Sequence, residues 1–165
     1  MTDGRTRIPS LGPRGEGWVG AQLILFVAIA GFGVRDLEGH GLGAGMPFIV
    51  PAAGLALAAV GLLLAIRAIR DLGRSLSPFP RPPQGATLVD TGAYRFVRHP
   101  IYTGLVLAAA GWSLASGSLW AAASSLALLA VLDAKSRREE AWLTETFAGY
   151  PAYRARTKRL IPFVY

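Results

Sequence analysis

The chain contains no cysteine among its 165 residues. That excludes disulfides, a thiolate nucleophile and cysteine-ligated iron–sulfur clusters. Histidine is nearly as scarce, with only His40 and His99, too few for the multi-histidine metal sites of membrane oxygenases and desaturases. Charge is thin as well: 16% of residues are charged against 52% hydrophobic. Mean hydropathy is +0.40, too apolar for a soluble domain of this size, and the apolar residues are gathered in blocks. The class is therefore a single-domain, all-α integral membrane protein whose first partner is the lipid bilayer. Acidic residues are outnumbered by basic ones, 10 to 17, which leaves a net charge of +7. In a membrane chain such an excess lies in cytoplasmic segments facing anionic lipid, so no nucleic acid is expected.

The blocks predict about four spans within one membrane domain, 1–165. Residues 1–17 form a polar, Gly- and Pro-rich tail carrying Arg5, Arg7 and Arg14. Residues 18–34 make the first span. Its basic flank, apolar core and Ala28-Ile29-Ala30 also fit a signal peptide, but an uncleaved helix is expected. A Gly-rich turn over 35–45 lacks the preceding strand and following Lys-Ser/Thr of a phosphate loop, and His40 reads as a solvated residue within it. The second span, 46–66, begins with Pro47 and Pro51 and carries Gly54, Ala58 and Gly61 at spacings that permit close helix contact. A cytoplasmic loop over 67–99 includes Pro78, Pro80, Pro82 and Pro83, which favour a stiff extended connector. The third span, 100–116, opens on a proline in a tolerated position and presents Gly104, Ala108 and Gly111. Ser116-Gly117-Ser118 leaves room only for a tight turn, so the fourth span, 119–132, returns antiparallel and ends at Asp133. A cytoplasmic tail, 133–165, follows, with helical periodicity from Leu132 to Phe147: Lys135 and Glu139 share one face, as do Ser136 and Glu140. Basic residues occupy alternate connections, so the positive-inside rule puts both termini and the central loop in the cytoplasm.

The polar run Gly92-Ala-Tyr94-Arg-Phe-Val-Arg98-His99-Pro100-Ile101-Tyr102-Thr-Gly104 enters the third span with no linker. Such residues at a bilayer boundary serve as anchors in many helices, and tail charges are commonly solvated. Here aromatic rings, an imidazole and a guanidinium stand where a polar ligand from the cytosol and an apolar one from the lipid can meet.

That run, with Pro78-Phe-Pro80, Thr87-Leu88-Val89 and Thr91 before it and Glu139-Glu140, Phe147, Tyr150, Tyr153 and Ile161-Pro162-Phe163 after it, resembles the isoprenylcysteine carboxyl methyltransferase and phospholipid methyltransferase superfamily. The resemblance covers about residues 72–165. It implies an S-adenosylmethionine-dependent methyltransferase, releasing S-adenosylhomocysteine, with the cofactor at the cytoplasmic face and a lipophilic acceptor reaching it from the membrane. By position, Thr87, Leu88 and Val89 match the segment that lines the cofactor. Tyr94 matches an aromatic contact, and His99, Pro100, Ile101 and Tyr102 match the core cofactor motif. Glu139 matches the tail carboxylate on the cofactor. Lys135 stands where the family often has a substrate-side arginine, and its ammonium lacks that residue's bidentate fork. Arg98 and Glu140 are further candidates beside the reacting groups, Glu140 as proton acceptor if the nucleophile is an amine. A carboxylate nucleophile needs no base. Acceptors consistent with this reading are an isoprenoid-type carboxylate, a lipid amine or an apolar thiol. The minimal loops and Ala/Gly/Arg-rich composition suit a bacterial plasma membrane. The competing readings are an NADPH-dependent membrane reductase, for which the chain looks short, and a small non-enzymatic lipid-binding subunit.

Overall fold

The computed structural model describes residues 8–161; Arg5, Arg7 and the Pro162-Phe163 end of the resemblance lie outside them. The described residues form five α-helices and no strand: α1 (Glu16–Arg35), α2 (Ile49–Leu72), α3 (Pro100–Ser116), α4 (Leu119–Thr146) and α5 (Tyr150–Arg156). Three of these, α1, α2 and α4, are long and apolar enough to cross a membrane; α3, with 17 residues, is a shorter apolar helix. Their outer surfaces carry Ile24, Val27, Leu63 and Leu126, each more than 60% exposed, as lipid-facing residues should be.

The expected small-residue faces meet each other. A Cβ on Gly61 would lie 2.5 Å from the Ala108 nitrogen and the Gly104 carbonyl oxygen, and one on Gly54 would lie 2.5 Å from the Ala115 nitrogen. Gly111 is pressed against the backbone of Ala58 in the same way. Backbone-to-backbone approach is how α2 and α3 associate without a hydrophobic drive between helices in lipid. On the other side of α3, Ile29, Ala109, Leu128 and Leu132 form a buried core among α1, α3 and α4. Trp112 donates its indole N–H to the Ile29 carbonyl at 3.1 Å, and the hydroxyls of Ser113 and Ser125 are 3.0 Å apart.

The hairpin between α3 and α4 forms as the sequence requires. Gly117 takes φ +62, a left-handed conformation that glycine adopts cheaply, and Ser118 caps α4 by accepting from the Ala121 N–H at 3.1 Å. Pro51 sits in the first turn of α2, where no intrahelical donor is lost.

Two helices run well past the C-terminal ends of the expected spans. The second helix does not stop at Ile66 but continues to Leu72, supported by an i,i+4 ion pair between Arg67 and Asp71 at 3.0 Å. Nor does Asp133 end the fourth: α4 runs unbroken for 28 residues. Asp133 instead accepts from Arg137 Nε at 2.8 Å one turn later, and no glycine or proline intervenes before Gly149. The tail helix and the fourth apolar segment are one rod. This rod carries Lys135, Glu139 and Glu140 rigidly beneath the start of α3.

The basic segments collect at one end of the bundle. The Arg81 N–H donates to the Arg14 carbonyl at 3.4 Å, the Arg98 N–H to the Lys158 carbonyl at 2.8 Å, and the Tyr153 hydroxyl to the Tyr94 carbonyl at 2.7 Å.

Candidate active site

At that end lies a cavity of about 200 Å³, walled by α1, the end of α2, the proline-rich connector, the start of α3, the polar half of α4 and α5. The connector is not extended from end to end: it folds back on itself, and the Ser75 hydroxyl accepts from the Thr87 N–H at 3.0 Å. Thr87, Leu88 and Val89 thereby line the cavity. Tyr94 follows on a short 3₁₀ turn, Gly92–Arg95, fixed when Asp71 accepts from the Ala93 N–H at 2.8 Å. Tyr94 is buried, and that burial, reinforced by the nearby Glu139 charge, pushes its phenol above the ordinary range. It is a neutral ring face and donor.

The entrance to α3 is tied down by the end of the chain. The His99 N–H donates to the Arg159 carbonyl at 3.1 Å, and the Thr103 hydroxyl to the Leu160 carbonyl at 2.7 Å. His99 is 5% exposed and lies flat against Tyr102, with ring centroids 5.3 Å apart and planes within 4°. Its Nδ1 is 3.7 Å from Glu139 and its Nε2 is 3.3 Å from Glu140. Tyr102 donates to Glu139 at 2.7 Å. His99, Ile101, Tyr102 and Glu139 all line the cavity; Pro100 is buried as the first residue of α3 and does not.

Lys135 is also in the wall, only 2% exposed. It donates to the Gln22 side-chain oxygen at 2.8 Å and the Pro78 carbonyl at 3.1 Å, and stands 5.2 Å from the centre of the Tyr102 ring. Both hydrogen-bond partners are neutral. The ammonium is thus a buried positive group facing the same space as Glu139.

Two expected participants are placed differently. Glu140 does not line the cavity. Its carboxylate is enclosed by Arg98 Nε at 2.8 Å, Arg159 Nε at 3.1 Å and His99, with Arg154 at 3.8 Å. A carboxylate held by that many cations is stabilised as an anion and is a poor proton acceptor. Its geometry is that of a positioning group under His99. Arg98 borders the cavity, but its guanidinium is spent on Glu140 and on the carbonyls of Arg154 and Thr157. It staples the tail to the entrance of α3.

Gln22 and Val19, which come from α1, carry no local signal in the sequence; Leu143, Phe147 and Tyr150 join them from the far end of the chain. Tyr150 is 1% exposed, and its hydroxyl has no hydrogen-bond partner among the described residues. Among those residues no group of three or more histidine, aspartate or glutamate side chains is arranged to hold a metal ion.

A family model described as phospholipid methyltransferase matches residues 49–149, more than half of the chain. The chain belongs to that family. No curated protein matches it significantly. Family membership implies methyltransferase activity in general terms, and the three long apolar helices agree with a membrane methyltransferase. The match spans α2, the connector, α3 and all of α4, and so holds most of the cavity wall. Gln22 precedes this family region, and Tyr150, Tyr153 and Arg159 follow it.

Proposed function

We propose that the chain is an integral membrane S-adenosylmethionine-dependent methyltransferase that methylates a lipophilic acceptor at the cytoplasmic face. The observation that carries this reading is the mixed lining of the cavity. Glu139, Tyr102, His99, Tyr94 and Lys135 share it with Val19, Ile69, Leu76, Phe79 and Leu105.

The donor set suits the cofactor. Glu139 would accept from an amino group or ribose hydroxyls, and Tyr94 and the His99–Tyr102 stack would supply ring faces for the cationic and aromatic parts. When bound, S-adenosylmethionine supplies an electrophilic methyl group on a sulfonium sulfur. The protein's share is positioning and exclusion of water, since a displacement of this kind needs alignment more than covalent help. The His99–Tyr102–Glu139 chain holds its polar atoms fixed before any ligand arrives. Lys135 would orient an anionic acceptor, with Gln22 and the Pro78 carbonyl keeping its ammonium in place. A carboxylate acceptor requires no proton acceptor, which agrees with a site whose Glu140 is locked among cations. The acceptor's apolar portion would lie along the hydrophobic wall toward the lipid.

The basic end of the bundle would face the cytoplasm under the positive-inside rule. A bacterial plasma membrane fits this arrangement.

Incubation with S-adenosylmethionine labelled in its methyl group tests the reading, using an isoprenoid carboxylate, a lipid amine and an alkyl thiol as acceptors. Label should pass to at least one of the three, with the carboxylate favoured. Lys135→Met should raise KM for the carboxylate about tenfold or more, as expected for losing a hydrogen bond to a charged group, and leave S-adenosylhomocysteine affinity in place. Transfer only to water-soluble acceptors would overturn the lipophilic assignment.

A further inference from the structure

A buried polar atom with no partner is rare enough to require an explanation. Among the described residues two side-chain atoms are in this condition, Arg138 Nε and Tyr150 Oη. The Arg138 guanidinium lies over the Trp142 ring at 4.3 Å and does not border the cavity. Tyr150 does border it.

The side chains packed with Tyr150 are mostly apolar, and the charges of Glu140, Arg98 and Glu139 are close enough to act on its phenol. Tyr94, Leu88, Val89, Ile101, Leu143 and Phe147 gather with it in one cluster and also line the cavity. The Tyr153 ring meets it edge-on at 5.8 Å. An apolar box with one convergent polar group is built for a planar heteroaromatic ring and not for a zwitterionic amino acid head. Glu139 and His99, the groups suited to the zwitterion, are tied together through Tyr102. Burial pushes the Tyr150 phenol well above its ordinary range, so it remains a neutral donor. Its neighbour provides the contrast: the Tyr153 hydroxyl is satisfied inside the protein by the Tyr94 carbonyl at 2.7 Å. Two adjacent buried tyrosines thus differ in what they are waiting for.

We propose that the Tyr150 hydroxyl is a ligand-binding group of the cavity, donating a hydrogen bond to the adenine ring of the adenosyl cofactor. This rests on the methyltransferase reading above. It adds a specificity-determining residue from α5, outside the region matched by the family, and makes the short last helix part of the binding site. A buried donor without a partner costs stability that is recovered when a complementary acceptor binds.

The test is Tyr150→Phe in the full chain, purified in detergent. S-adenosylhomocysteine affinity is measured by calorimetry, adenosine by competition against labelled S-adenosylhomocysteine, and ligand-free thermal stability alongside. Substitution should weaken both ligands by the same factor, about three- to tenfold for one hydrogen bond. The ligand-free melting temperature should hold or rise, because an unsatisfied buried hydroxyl has been removed. Tyr153→Phe should do the reverse, lowering the melting temperature. Unchanged affinity in Tyr150→Phe, with the wild type binding normally, would overturn the proposal alone. A loss for S-adenosylhomocysteine but not for adenosine would overturn the adenine assignment. Absence of binding by the wild type would remove the methyltransferase reading itself, and this proposal with it.

Discussion

The Tyr102 phenol donates to the Glu139 carboxylate across 2.7 Å, joining α3 to α4 at the cavity wall. These residues are 37 positions apart in the chain, and their contact depends on α4 continuing past Asp133 as one rigid helix. The bond sets the direction of the carboxylate and, through the flat stack on His99, the direction of the imidazole. Tyr102→Phe should keep the ring contact and lose only the hydroxyl. A hydrogen bond to a charged group contributes about 1.5–3 kcal/mol. Calorimetry with S-adenosylhomocysteine should therefore show about ten- to hundredfold weaker binding, with the helical content of the protein unchanged by circular dichroism.

The α2–α3 contact has no room for a side chain. Gly61→Ala places a methyl 2.5 Å from backbone atoms of Gly104 and Ala108, so the helices must move apart. Overpacking of this kind costs about 1–3 kcal/mol. Gly20→Ala is the control, since nothing lies within 4 Å of its added carbon and alanine favours the helix. Thermal melts in detergent should separate the two, the first falling and the second holding or rising.

Removing Glu140 leaves the Arg98 and Arg159 guanidiniums, and His99 beside them, without their shared carboxylate. Breaking a buried ion cluster from one side costs about 3–5 kcal/mol. Glu140→Ala should therefore lower the melting temperature sharply and expose residues 157–161 to proteolysis. If Glu140 were the working proton acceptor, Glu140→Ala would abolish turnover while the protein melted normally.

The absence of cysteine makes orientation simple to measure. Arg95→Cys lies on an exposed surface at the basic end of the bundle, and Leu42→Cys on an exposed surface at the other. In intact cells a membrane-impermeant maleimide should label position 42 and reach position 95 only after permeabilisation.

Much of this architecture is legible in the sequence because its signals are local. Gly54, Ala58 and Gly61 announce a close helix contact by spacing alone, and Gly104, Ala108 and Gly111 supply its partner. Ser116-Gly117-Ser118 allows one kind of turn. The Gly92–Gly104 run concentrates polar and aromatic groups at a helix entrance, and the cavity forms there. What the sequence conceals is long-range. The Lys135–Gln22 bond joins residues 113 positions apart, and no periodicity in α1 distinguishes Gln22 from a tolerated polar residue. Arg159 looks like one more tail cation until the chain folds back and brings it against Glu140. The same fold makes Glu140 a clamp, although its place next to Glu139 suggests a matching role. Asp133 looks like a helix stop because hydropathy changes there, yet backbone propensity does not.

The central claim is that the His99–Tyr102–Glu139 wall holds an adenosyl cofactor. The most direct measurement is a calorimetric titration of S-adenosylhomocysteine into detergent-purified protein, wild type beside Glu139→Ala and His99→Ala. Saturable binding by the wild type is expected, with a loss of about tenfold or more in each variant, the size of one hydrogen bond to a charged ligand group. No binding by a wild-type protein that still melts cooperatively would contradict it, as would variants that bind as tightly as the wild type.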